Sequence, residues 1–135
     1  MNSLDISQKY KGLVNGKDWE AGSLRRYKNG LTAIHKDNNH FYVFEDSVSR
    51  YTGFKTTSGE EIYEGDFLAV SEKEEKKINM VYWDEGCQQW KVSPSPFQDP
   101  LLSQCLQNCL DSLVVGHVFT HQHLLKSVKI NHQNE

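Results

Sequence analysis

The sequence predicts a mainly β, α+β domain: a small curled barrel of short strands, with additional hairpins and one helix in its C-terminal half. Three observations carry that expectation. Short runs rich in β-branched and aromatic residues recur between turn signals such as Asn15-Gly16 and Asn29-Gly30. One stretch, Leu101 to Leu113, places its apolar residues at helical spacing. A chain of 135 residues has the size of one domain with a real core, and curling is how so short a sheet hides its edges.

The elements follow in order. The first ten residues are polar and read as a loose end. Trp19 to Lys28 offers a short strand around Ser23–Tyr27. Leu31–His35 and His40–Phe44 are the arms of a hairpin, joined by Lys36-Asp37-Asn38-Asn39, residues that tolerate left-handed backbone. His35 and His40 flank that turn and face solvent. Arg50–Lys55 leads to the turn Thr56-Thr57-Ser58-Gly59, then to Glu60–Asp66 and a strand over Phe67–Ser71. The mixed-sign run Glu72–Lys77 is a solvated loop. Ile78–Asp84 and Gln88–Ser93 pair across Glu85-Gly86, with Trp83 and Trp90 as the large apolar contributors. Pro94, Pro96 and Pro100 break the sheet pattern. Asp99-Pro100 reads as an N-cap followed by proline at the first helical position, so a helix covers about residues 100–112. Leu113–Phe119 is the closing strand, and His121–Leu125 a short turn. The domain takes in residues 1–125, and 126–135 form a polar tail.

Composition excludes several classes. With 37% hydrophobic residues and nine glycines, the apolar share is about 44%, which is globular and not wholly disordered. No apolar run approaches the roughly twenty residues of a membrane span, and Met1-Asn2-Ser3-Leu4-Asp5 has no signal-peptide stretch. The expectation is a cytoplasmic protein without a membrane partner. Fifteen basic and eighteen acidic residues give a net charge of −3, which disfavours wholesale phosphate binding. The distribution is uneven: +4 from Met1 to Lys36 and −7 from Asp37 to Trp90. Arg25-Arg26-Tyr27-Lys28 is the one candidate basic patch, and a solvated strand explains it as well.

Cys87, Cys105 and Cys109 are an odd number without a secretory signal, which argues against a disulfide framework. Cys105 and Cys109 followed by His117 and His121 spell C-x3-C-x7-H-x3-H, which superficially resembles a zinc site. The tight C-x2-C turn is missing, and Leu101, Leu102, Cys105, Leu106, Cys109, Leu110 and Leu113 make one apolar helical stripe. Thiols as small core residues are the simpler account, so no metal and no cofactor is assigned. Glu60, Glu61, Glu64 and Asp66, with Asp84 and Glu85, form the most pointed acidic group, yet Glu64-Gly65-Asp66 reads better as a turn. His117 sits in an apolar strand, where a satisfied neutral histidine is the common case. No nucleophile motif, phosphate loop or zinc-protease helix occurs.

Tyr51-Thr52-Gly53-Phe54-Lys55, followed by Ser58-Gly59-Glu60-Glu61-Ile62-Tyr63-Glu64-Gly65-Asp66-Phe67, closely resembles the signature of the YopX family, small proteins encoded mostly by phages, prophages and related mobile elements. The family pattern reads roughly YTGLKDKNGxEIYEGDIV, and residues 50–67 keep most of it. Val81–Cys87 is similar to the family's next hairpin, and Val114–Phe119 with Leu124-Leu125 to its closing segment. Trp19–Leu24 and Asp46–Arg50 resemble the segments that precede the signature. The resemblance implies an SH3-like barrel core and suggests self-association. It carries no catalytic residue and no established activity.

The resulting expectation is a non-enzymatic phage or prophage accessory protein of the host cytoplasm, acting by contact with a host or phage protein or as a homo-oligomer. Tyr51, Tyr63, Trp83 and Trp90 are its candidate binding residues, because aromatics left exposed would mark an interface. The alternative is a nucleic-acid-binding module using Arg25, Arg26 and Lys28. A weaker third reading, a metal-dependent hydrolase, would need Glu64, Asp66 and Asp84 to converge.

Overall fold

A computed structural model of the chain describes residues 8–69, 78–94 and 97–121. The expected loose start through residue 7, the charged loop 72–77, Pro96, Leu124-Leu125 and the tail 126–135 lie outside the described residues. The chain divides into two compact units, Met1–Tyr51 and Thr52–Glu135.

The first unit is built from antiparallel strands β1 (Tyr10–Val14), β2 (Asp18–Arg26), β3 (Thr32–Lys36) and β4 (Asn39–Tyr42), ordered β4-β3-β2-β1. The first residues of β5 (Ser49–Lys55) lie beside β1, with Tyr10 opposite Arg50. Each turn is written in the sequence. Asn15 and Gly16 both have positive φ between β1 and β2, and Gly30 does so between β2 and β3. Asp37 and Asn38, at φ 51° and 67°, make a two-residue turn that matches strand twist and sets His35 opposite His40. Strand β2 changes partner midway, pairing with β1 through Gly22 and with β3 from Ser23. Gly22 is required there, because a Cβ would run into the backbone carbonyl of His35. Beyond β4 the Val43 amide donates to the Thr32 carbonyl and the Phe44 amide to the Leu13 carbonyl. Ser47, in a 3-10 turn at Glu45–Ser47, is buried and accepts the Leu13 amide at 2.8 Å. Leu13, Ala33 and Ile34 are the buried apolar residues of this unit.

In the second unit the remainder of β5 pairs with β6 (Glu61–Tyr63). A separate antiparallel sheet has the order β10-β9-β8-β7-β11, from β7 (Asp66–Ala69), β8 (Asn79–Asp84), β9 (Gln89–Ser93), β10 (Gln104–Cys105) and β11 (Leu113–His117). Strands β7 and β8 are buried on both faces. Leu68 and Val81 join Ile62, Val92, Leu106 and Cys109 in one core, while Phe67, Met80 and Tyr82 form another. That explains why Phe67-Leu68-Ala69 is continuously apolar instead of alternating.

Two expectations are not met among the described residues. The strands form two antiparallel sheets, and neither closes into an SH3-like barrel among the described residues. The helix expected over 100–112 is absent: the segment is a turn, the two-residue strand β10, and a 3-10 turn at Leu106–Cys109. Asp99, expected as the N-cap of that helix, caps a turn instead: its carboxylate accepts the Leu101 amide, and its carbonyl accepts from Leu102 N–H and Ser103 Oγ. The chain then leaves helical geometry because the open edge of β9 offers ladder partners, Val92 to Gln104 and Lys91 to Cys105. The apolar stripe accordingly splits: Leu106 and Cys109 are buried, whereas Leu101 is 93% exposed.

Candidate functional site

The signature residues serve the backbone. Thr52 Oγ1 donates to the Ile62 carbonyl at 2.8 Å and accepts the Phe54 amide, clamping β5 to β6 around Gly53 at φ 88°. Thr56 accepts the Glu60 amide through its hydroxyl, closing the turn between them. Buried Asp66 accepts the Tyr63 amide at 2.7 Å across the Glu64-Gly65 turn. The Gly65 carbonyl accepts Val118 N–H, and the Glu64 carbonyl lies 3.0 Å from His117 Nε2. Because His117 Nδ1 accepts the Phe119 amide at 2.9 Å, Nε2 carries the proton and donates to Glu64. His117 is a neutral structural pin between the turn and the closing strand.

The acidic candidates are therefore spent separately. Asp66 caps a turn, Asp84 pairs with Lys91 at 2.9 Å, and Glu61 accepts the Tyr63 hydroxyl. The Lys91 ammonium and the Cys87 amide hold the Asp84 carboxyl below its usual range. Of the zinc-like set, Cys109 lies in the core and burial pushes its thiol up, Cys105 Sγ points to Gln89 Oε1, and His121 Nδ1 meets Thr120.

A family assignment follows from most of the chain. The family described as YopX protein matches residues 7–126, reaching from before β1 to beyond β11. The chain belongs to the YopX family. No curated protein and no solved structure matches it.

The four aromatic candidates of this YopX-family chain have different settings. Tyr63 is buried at 3% exposure and so is core. Tyr51 is half-buried in the first unit, with the Lys9 ammonium 5.6 Å from its ring centre. Trp83 and Trp90 are half-buried register partners on β8 and β9, edge-to-face at 5.1 Å. Trp90 also opens onto a hollow of about 240 Å³ lined by Phe54, Gln88, Gln89, Cys105 and Gln107. Its lining combines two half-buried aromatic rings and a thiol with three exposed neutral amides.

The basic triplet also divides. Arg26 is engaged by Glu45 through two guanidinium–carboxylate contacts of 3.0 and 2.7 Å, while Thr32 donates to the same carboxylate. Arg25 and Lys28 are exposed, and the Arg25 guanidinium sits 5.9 Å from the Tyr27 ring centre. Around it the sheet gathers residues not singled out as a group from the sequence. His35 and His40 stack at 5.6 Å, His40 meets Tyr42 edge-on at 5.2 Å, and Tyr42 lies 6.3 Å from Tyr27. The Tyr27 hydroxyl is 3.1 Å from His35 Nε2. The signal for this cluster was present, since counting outward from the Asp37-Asn38 turn puts His35 with His40 and Ala33 with Tyr42.

Proposed function

We propose that the protein is a non-enzymatic accessory protein of phage or prophage origin, working in the host cytoplasm by contact with another protein. The hollow beside Trp90 carries this reading. The half-buried rings of Phe54 and Trp90 beside exposed uncharged amides have the anatomy of a protein-interface pocket, where one partner side chain anchors and the rim excludes water. Trp83, edge-on to Trp90, fixes the indole that lines the hollow. A lining without carboxylate, ammonium or imidazole suits a neutral apolar anchor better than a charged substrate.

The test is affinity capture from phage-infected or prophage-carrying host lysate after nuclease digestion, read by mass spectrometry, with wild type beside Gln107→Arg. Gln107 is exposed on the rim, so arginine there fills and charges the mouth without touching the core. A protein retained by wild type and lost by the variant supports the reading. Equal retention by both, or nothing retained once nucleic acid is digested, overturns it.

A further inference from the structure

The first unit carries a second surface, unlike the Trp90 hollow in chemistry. Register partners share a face of an antiparallel ladder, so Arg25, Ala33 and Tyr42 lie in one row across β2, β3 and β4, and Ser23, His35 and His40 in the next. Tyr27 joins them through its contacts with Arg25, His35 and Tyr42. The result is a sheet of four flat rings with one guanidinium over its margin and exposed Lys28 in the adjoining turn. Neither row contains a carboxylate. Glu45 and Glu20 are held by Arg26 and Lys36, residues that alternate to the opposite face. Tyr42 is 50% exposed and His40, though stacked on His35, is exposed as well, so part of each ring is open to a ligand.

We propose that this face binds single-stranded nucleic acid, with bases stacked on Tyr42 and His40 and phosphates held by Arg25 and Lys28. Stacking rings flanked by cations are the two components of such sites, and a single strand presents both flat apolar faces and negative charge. An acidic peptide would satisfy the cations and leave the rings without matching planar groups. A duplex would offer phosphates but hide its base faces. The surface is independent of the Trp90 hollow, and the two readings stand or fall separately.

Fluorescence anisotropy with the full-length protein decides it. The probes are labelled oligothymidylate and oligouridylate of about fifteen nucleotides, a duplex of equal length, and a labelled polyglutamate peptide. Saturable binding of a single strand at low salt is expected, and the DNA and RNA arms identify which sugar is preferred. Tyr42→Ala should weaken it about tenfold. Arg25→Gln should weaken it and flatten the dependence of log affinity on log salt by about 0.7, the share of one phosphate contact. His40→Ala provides a second ring deletion should Tyr42→Ala melt early. No binding to either strand, duplex binding as tight as single-strand binding, or affinity unmoved by all three face variants would overturn the assignment. Capture of polyglutamate in place of the oligonucleotides would overturn it too, giving the face to an acidic protein segment.

Discussion

Gly65 shows how a short motif can be specific without being catalytic. Its φ of 86° is costly for a residue with a side chain, and an added Cβ would stand 2.9 Å from His117 Nε2. Backbone strain and displacement of the histidine therefore act together, and the imidazole bond to the Glu64 carbonyl is the one at risk. Gly65→Ala should lower stability by about 2 kcal/mol, visible as a lower urea midpoint with an unchanged slope. An unchanged midpoint would remove the positive-φ requirement. By contrast Gly53, at φ 88°, has open space around its Cβ position, so alanine there meets backbone strain without a clash. The same reasoning accounts for Asp66, a fully buried carboxylate that accepts the Tyr63 amide within the Glu64-Gly65 turn. Within the acidic group, whose Glu64-Gly65-Asp66 stretch the sequence already reads as a turn, Asp66 and Asp84 are separate structural anchors.

Elements announced by their own turn chemistry were legible in the sequence, and those decided by a distant edge were not. The hairpins β3–β4 and β8–β9 follow from Asp37-Asn38 and from the residues after Asp84, since turn geometry fixes register locally. Strand β1, which begins at the last residue of the expected loose end, was not anticipated, because its place depends on pairing with β2 and β5. The 100–112 segment failed for a related reason. Its apolar spacing fits a helix, but Gln104 and Cys105 can reach the free edge of β9, and sheet pairing overrode local periodicity. The candidate sites divide in the same manner. Trp90 was legible as a large aromatic on a strand; the Tyr27–His35–His40–Tyr42 face required three strands in register. The lost helix gives a direct check. A helical stripe would bury Leu101 and Leu106 alike, whereas Leu101 is 93% exposed and Leu106 fully buried. Leu101→Ser should alter stability by no more than about 0.5 kcal/mol, and Leu106→Ala should cost about 3 kcal/mol in equilibrium unfolding. Comparable losses from both would restore the helix.

At the scale of the molecule, charge is partitioned along the chain, +2 in the first unit and −5 in the second, and acid should act on the two through different groups. The group with the clearest linkage is Glu45. The Arg26 guanidinium and the Thr32 hydroxyl hold its carboxyl down from 4.5 to about 2. A carboxyl whose folded pKa lies below its unfolded one binds fewer protons when folded. Its stabilisation is thus complete above about 4.5 and is lost as pH falls towards about 2. Both side chains are more than half exposed, so solvent screening limits the contribution to about 0.5 kcal/mol. Native-state hydrogen exchange at β3 amides reads the first unit directly, because Ile34 is buried and paired on both sides. Glu45→Gln should make those amides exchange faster at neutral pH, and the difference from wild type should close as pH falls from about 4.5 to about 2. A difference that persists undiminished through that window would mean Glu45 acts through packing and hydrogen bonding alone, with no ionic share in holding the first unit.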